Sequence, residues 1–256
     1  MASHFVGTSG WSYPHWRGLF YPKGTKSTEQ IAYYAKHYRT VELNSSFYYL
    51  PREAVLASWV EKTPADFLFS VKAWRLLTHY KRLSDCEEGL ATFFDRLKLL
   101  EKKCGPVLFQ LPPRFKPDGK RLEAFLDLLP RDRRYAFEFR DARWHQAEIY
   151  ALLQKRNVAF CPFELRSLRS PRIRTADFIY VRLHGRKGAY VGNYSKTALD
   201  DWARWLGGEM HTGADVYVYF DNTDEVDYAL KNANRLDEML ARDVNRCRLR
   251  RQLSSQ

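Results

Sequence analysis

Eight short apolar runs, rich in Val, Phe and Tyr, alternate along this chain with longer segments whose apolar residues recur at helical spacing. That alternation is the signature of βα units. The runs are Phe5 to Ser9, Thr40 to Asn44, Phe67 to Lys72, Val107 to Leu111, Tyr135 to Arg140, Val158 to Pro162, Phe178 to His184 and Val216 to Phe220. Between them, Leu90, Phe93, Phe94, Leu97 and Leu100 form one helical stripe. Leu199, Trp202, Ala203 and Leu206 form a second, and Val226, Leu230, Ala233 and Leu236 a third. Each stripe needs a sheet to cover. The Gly105-Pro106 pair predicts a helix stop followed by a strand start. From Leu165 to Ala176 the chain is arginine-rich, contains Pro171 and shows no stripe, which predicts a loop or short turn. Eight units predict an α/β fold of the (β/α)8 TIM-barrel type, with the helix after the sixth strand short or missing, in preference to an open doubly wound sheet.

A length of 256 residues, 45% hydrophobic, suits one such barrel. The predicted division is a single domain over 1–241 and a basic tail over 242–256. No run of about eighteen apolar residues and no leader-like start is present, so the expectation is a cytoplasmic protein without a membrane span. Cys86, Cys104, Cys161 and Cys247 are widely spaced, without zinc-knuckle or disulfide-framework spacing. The formal net charge is +12, concentrated in Glu164 to Arg174 (four arginines, one glutamate) and Arg242 to Arg251 (five arginines, one aspartate). Either segment could hold an anion or simply form a solvated face.

Strands of a parallel sheet are buried on both faces and should be nearly all apolar. Several here are not. Val41-Glu42-Leu43-Asn44, Phe137-Glu138-Phe139-Arg140 and Val181-Arg182-Leu183-His184 each alternate a polar with an apolar face, and Lys72 and Gln110 stand near the same strand ends. With the apolar face against the helices, the polar face points inward near the carboxyl ends, where this architecture carries active sites. Glu42, Lys72, Glu138 and His184 are the candidate catalytic groups. Arg140, Arg182, Asn44, Gln110, Tyr219, Asp221 and Asn222 are candidate ligand contacts. The alternative is a self-satisfied ion network filling the interior. Loop aromatics and donors lie over this face: Trp11, Tyr13, His15, Trp16 and Arg17; Phe47, Tyr48 and Tyr49; Trp74, Arg75, Thr78 and His79. Of these, Trp11 and Tyr48 are candidate ligand contacts, and the rings could equally form a packed lid. Arg186, in Gly185-Arg186-Lys187-Gly188, is a candidate phosphate contact beside free backbone N–H groups.

These motifs make the stretch from Val6 to about Leu240 resemble the YecE-like family, domain of unknown function 72. The residues carrying the resemblance are Gly7-Thr8-Ser9-Gly10-Trp11-Ser12-Tyr13, Val41-Glu42-Leu43-Asn44 with Phe47-Tyr48, Val71-Lys72, Gln110-Leu111-Pro112-Pro113, Glu138-Phe139-Arg140, Tyr180 to Gly185 and Tyr219-Phe220-Asp221-Asn222. The resemblance implies a TIM barrel and supplies no activity. Ser46, Asp141 and Asp221 depart from the family's usual threonine, histidine and asparagine.

The first functional expectation is an enzyme or binder of a small anionic molecule, such as a phosphorylated sugar or nucleotide. Lys72, Arg140 and Arg182 would hold the anion, Glu42 or Glu138 would act as general base, and His184 would shuttle a proton in metal-independent acid/base chemistry of a hydrolase or lyase kind. The alternative is a nucleic-acid-binding or phosphodiester-cleaving protein. It is supported by the basic excess and by analogy to barrel endonucleases, with Glu42, Glu138, His184 and Asp221 as its metal site. A third reading is a non-catalytic partner-binding module using Trp144 and His145. No nicotinamide, flavin, pyridoxal or haem signature occurs, so no cofactor is expected and no metal is assigned. The oligomeric state is left open.

Overall fold

The computed structural model describes residues 2–253, without the side chains of 244–253. It is an α/β fold. The elements in order are β1 (His4–Thr8), α1 (Ser27–Tyr34), β2 (Thr40–Leu43), α2 (Ser45–Tyr48), α3 (Glu53–Glu61), β3 (Leu68–Lys72), α4 (Glu87–Leu97), β4 (Cys104–Leu111), α5 (Gly119–Asp127), β5 (Tyr135–Phe139), α6 (Ala147–Lys155), β6 (Ala159–Phe160), β7 (Phe163–Leu165), β8 (Leu168–Arg169), β9 (Phe178–Leu183), α7 (Lys196–His211), β10 (Asp215–Phe220) and α8 (Tyr228–Leu253). All eight expected strands are present, some shorter and some longer than expected by up to three residues at an end.

Two five-stranded sheets result, ordered β1-β10-β9-β7-β8 and β2-β3-β4-β5-β6. Every pairing is parallel except the β7–β8 hairpin. The sheets touch along two seams. Ser9 bridges Glu42, and the Gly10 N–H donates to the Glu42 carbonyl at 2.8 Å. On the other side β6 pairs with β5, and three residues on β7 pairs with β9. Period-two alternation then divides the core in two. A large apolar cluster lies between strands and helices. A smaller one, including Leu108, Ala136 and Ala159 from one sheet and Phe178, Tyr180 and Tyr219 from the other, fills the space between the sheets. Burial of both faces explains the apolar runs.

Several expectations are corrected. The strand begins at Cys104, before the Gly105-Pro106 pair, and the preceding helical segment is broken at Glu101, whose φ is 51°. Gly105 instead permits close strand approach, because a Cβ there would sit 3.3 Å from the Phe69 carbonyl oxygen. Val226 is exposed and precedes α8, so it is not part of that helix's stripe. The expected loop at Leu165 to Ala176 contains no helix, but it opens with the unforeseen β7–β8 hairpin.

Two of the four arginines of this segment are turned onto α7, while Arg169 faces Glu164. Arg172 lies 4.0 Å over the Trp202 ring and 2.7 Å from Asp201, and Arg174 is 3.2 Å from Glu209. Ion pairs to a neighbouring helix take the place of an apolar stripe, so much of this segment's charge is already matched. The basic tail continues α8 in backbone to Leu253, and most of its side chains fall outside the described residues. Cys86, Cys104 and Cys161 are free thiols, and the Cys247 side chain is outside the description. Among the described residues no helix is long and apolar enough to cross a membrane.

Candidate functional site

Strand alternation places Glu42, Glu138, Arg182 and His184 on the inward face near the carboxyl ends, and all four are buried. Arg182 is the hub. Its Nε and Nη2 donate to Glu42 (2.9 and 2.7 Å), Nη1 to Glu138 (3.0 Å), and Nη2 also to Asp221 (3.1 Å). Glu42 accepts further bonds from the Ser9 hydroxyl (2.5 Å) and the Tyr180 hydroxyl (2.6 Å). Glu138 also pairs with Arg140. Burial alone would push the Glu138 carboxyl up, but Arg140 and Arg182 together hold it well below the usual carboxylate range. Asp221 is lowered in the same way, burial being overridden by Arg182 and His184.

His184 joins the network through both ring nitrogens. Nε2 lies 2.8 Å from Arg140 Nη2, and Nδ1 lies 2.8 Å from Asp221. A guanidinium has no lone pair to offer, so Nε2 accepts and Nδ1–H donates to Asp221. This is the neutral tautomer with both positions engaged. Guanidinium groups stand between the carboxylates, and among the described residues no three His, Cys, Asp or Glu side chains are grouped to hold a metal ion.

Lys72, at the end of β3, is different. Its Nζ rests 4.2 Å over the Phe47 ring, and among the described residues it makes no ion pair. Burial, then the neighbouring Arg182, bring its ammonium down to about 8, against the opposing pull of Glu138, Glu42 and Asp221. Arg75 and Arg82, on the segment that follows, also lack a carboxylate partner. Arg75 lies over Tyr48 and Tyr80, and Arg82 over Phe115. These cations, with Arg140, surround His79. Burial first, and then Lys72, Arg75, Arg140 and Arg82, bring its imidazole down to about 4. The backbone here is unusual, with a π-helix over Leu76–Tyr80 followed by positive φ at Arg82, Leu83 and Asp85. Such irregularities concentrate at functional sites.

Beside this face a cleft of about 770 Å³ is lined by Trp11, Tyr13, Asn44, Tyr49, Arg52 and Trp59 among others. Trp11 meets Trp59 edge-on at 4.9 Å. Asn44 donates to Ser9, and its Oδ1 has no partner. Tyr48 is on the exposed rim, and the register sets Gln110 beside Glu138.

Three candidates are not brought to this face. Tyr219 is sealed inside, with its hydroxyl against Thr40 (2.7 Å) and Ser70 (2.6 Å). Asn222 donates to the Gly192 carbonyl and to Asn232. Arg186 forms a two-pronged pair with Glu164 (2.6 and 2.7 Å), and the Gly185 N–H is taken by Tyr194. The expected phosphate loop is therefore engaged internally. Trp16 and Trp144 are buried, Trp144 stacking on Phe139 at 5.0 Å, so neither is a surface ring. Sequence reasoning missed Ser9, Tyr180, Arg82 and Tyr190, whose ring lies edge-on to His184 at 5.7 Å. Tyr180 was accessible in principle, being two residues before Arg182 on the same strand face. Tyr190 comes from a loop with positive φ and gave no periodic signal.

A model of the family described as "Protein of unknown function DUF72" matches residues 5–256. The UPF0759 protein YecE of Escherichia coli K12 is 34% identical over 137 residues, which is 53% of this chain and 48% of that protein, so the match spans about half of that relative. The UPF0759 protein YunF of Bacillus subtilis is 28% identical over 92% of this chain and 94% of its own length. Among solved structures, a DUF72 family protein of Thermotoga maritima superposes with a TM-score of 0.83 at 29% identity, covering 93% of this chain and 99% of that one. One from Enterococcus faecalis gives 0.79 at 19% identity, covering 93% and 95%, and that likeness bears on the fold alone.

Proposed function

Given that this chain belongs to the DUF72 family of proteins of unknown function, we propose that it binds a small anionic molecule at the carboxyl-end face, the anion being collected by Lys72, Arg75 and Arg82. This reading takes the two sheets as one closed eight-stranded TIM-type barrel. Support comes from the two seams between the sheets and from the separate apolar cluster inside them. The observation that carries the reading is the lack of counter-ions on one side of the face. Arg182 and Arg140 have carboxylates, whereas Lys72, Arg75 and Arg82 have none among the described residues.

A half-buried cation without a partner, as at Lys72 and Arg75, is unfavourable, and an incoming anion relieves it, while the exposed Arg82 adds positive potential at the rim. The Arg182 network is then a fixed floor in which every carboxylate has a direct partner. Glu42 and Glu138 act there as counter-ions to Arg182 instead of free bases, and the neutral His184 holds Arg140 in place. Phosphorylated sugars and nucleotides suit the combination of cations with the aromatic cleft of Trp11, Tyr49 and Trp59.

The test is thermal stabilisation by inorganic phosphate and a panel of sugar phosphates and nucleotides. Wild type should be stabilised by at least one anion in a salt-dependent way, and an Arg75→Ala/Arg82→Ala double variant should lose most of the shift. If no anion stabilises wild type, or the double variant responds identically, the reading is wrong.

A further inference from the structure

We propose that Lys72 is a nucleophile that forms a Schiff base with the carbonyl carbon of a small anionic aldehyde or ketone, the rim arginines Arg75 and Arg82 holding the anionic group. This rests on the reading above and names the reactive class of its ligand. An ammonium beside a carboxylate is locked in its charged, non-nucleophilic form, but here each carboxylate of the floor is already engaged. Glu42 is held by Arg182, Ser9 and Tyr180, Glu138 by Arg182 and Arg140, and Asp221 by Arg182 and His184. Lys72 is left on an aromatic face, half-buried, with Arg182 as a neighbouring cation. Desolvation and an adjacent cation are the two conditions that activate a lysine amine. Together they bring Lys72 down to about 8, so about a tenth is neutral amine at pH 7, far more than for an ordinary lysine.

The charged and titratable groups facing it are Arg182 from β9, Glu42 from β2, Glu138 from β5, Asp221 after β10 and His79 from the π-helix. The position is fixed as well as polar. The Lys72 carbonyl accepts from the Ser46 hydroxyl at 2.7 Å, and the next N–H donates to the Leu108 carbonyl at 2.8 Å.

In the reaction the ammonium first gives one proton to water, the amine nitrogen adds to the carbonyl carbon, a proton moves from nitrogen to oxygen, and the carbinolamine takes one proton back as its hydroxyl leaves as water. The net change is protonated lysine plus carbonyl compound giving protonated imine plus water, so charge and atoms balance. The iminium then stands where Glu138, Glu42 and Asp221 place negative potential.

The test is reductive trapping on wild-type protein with limiting glyoxylate, a small anionic aldehyde, and cyanoborohydride. Hydride addition converts the imine to a stable secondary amine that peptide mass spectrometry locates. Lys72 should be labelled at least about tenfold faster than the median lysine near pH 7, and inorganic phosphate should protect it. The advantage should shrink toward pH 10, as ordinary lysines deprotonate. Lys72→Arg should abolish that adduct while leaving surface adducts unchanged. Labelling of Lys72 no faster than the other lysines overturns the proposal. If phosphate still stabilises the protein in that case, the anion-binding reading survives it, and the two failures are told apart.

Discussion

Arg182 and Lys72 are both cations near the carboxyl ends of the strands, the first buried and the second half-buried, yet their surroundings are opposite. Arg182 is 1% exposed and meets three carboxylates, so its guanidinium is held well above its ordinary range although burial acts against the charge. Lys72 has a phenyl ring and no carboxylate at ion-pair distance among the described residues, and is shifted the other way. What separates them is the allocation of counter-charge within one small volume. Three carboxylates and two guanidiniums have closed into a hydrogen-bonded set, and the cations on the β3 side are left without a direct carboxylate partner. A closed set of this kind can act as structure, whereas a charge left over needs something from outside the molecule to complete it.

The sharpest way to break this contrast is to remove each cation in turn. Arg182→Met leaves Glu42, Glu138 and Asp221 buried without their main partner, which should destabilise the fold by about 3–5 kcal/mol in urea unfolding at neutral pH. A loss under about 1 kcal/mol would mean the network is wetter and looser than its geometry indicates.

Lys72→Met should act in the opposite direction. Folded Lys72 releases its proton at about 8, while the unfolded chain holds its proton to the ordinary lysine value near 10.5. Between those values the unfolded state binds more protons, so this group makes stability rise with pH across that window, and its full penalty is present below it. Removing the charge should therefore stabilise the protein by about 2 kcal/mol at pH 7, with the gain fading as the pH rises from about 8 to about 10.5. Destabilisation at pH 7 would show that Lys72 has a counter-ion in solution and that the contrast with Arg182 is false.

The period-two pattern made the floor of this site legible before any coordinates, because a polar residue on the inward face of a buried strand has few places to go. Glu42, Glu138, Arg182 and His184 follow from that alone. The pattern does not say which oxygen a given cation reaches, and that is why Arg186 was read as a phosphate contact when it faces Glu164. Tyr219 and Asn222 show the same limit. Alternation puts Tyr219 on the inner face but not at what depth, and its hydroxyl lies among Thr40 and Ser70 below the ions. Fold prediction failed in small ways for a similar reason. The β7–β8 hairpin is held by backbone pairing and by Ser170 bonding to Phe163 across it, neither of which leaves an apolar period to read.

The smallest expected effect tests whether burial, and not merely the presence of a carboxylate, is what separates Arg182 from the rest. Arg172 also has a carboxylate at 2.7 Å and a ring at 4.0 Å, but its side chain is 26% exposed and that of its partner Asp201 is 49% exposed. Water screens such a pair, so the ion pair and ring contact together should contribute about 1 kcal/mol. Arg172→Ala should therefore lower stability by about that amount, leave anion binding unchanged, and raise amide exchange over residues 170–176, where no helix holds the chain to α7. If Arg172→Ala were instead as damaging as Arg182→Met, the mere presence of a carboxylate would count for as much as burial, and the special status given to the inner network would have no physical basis.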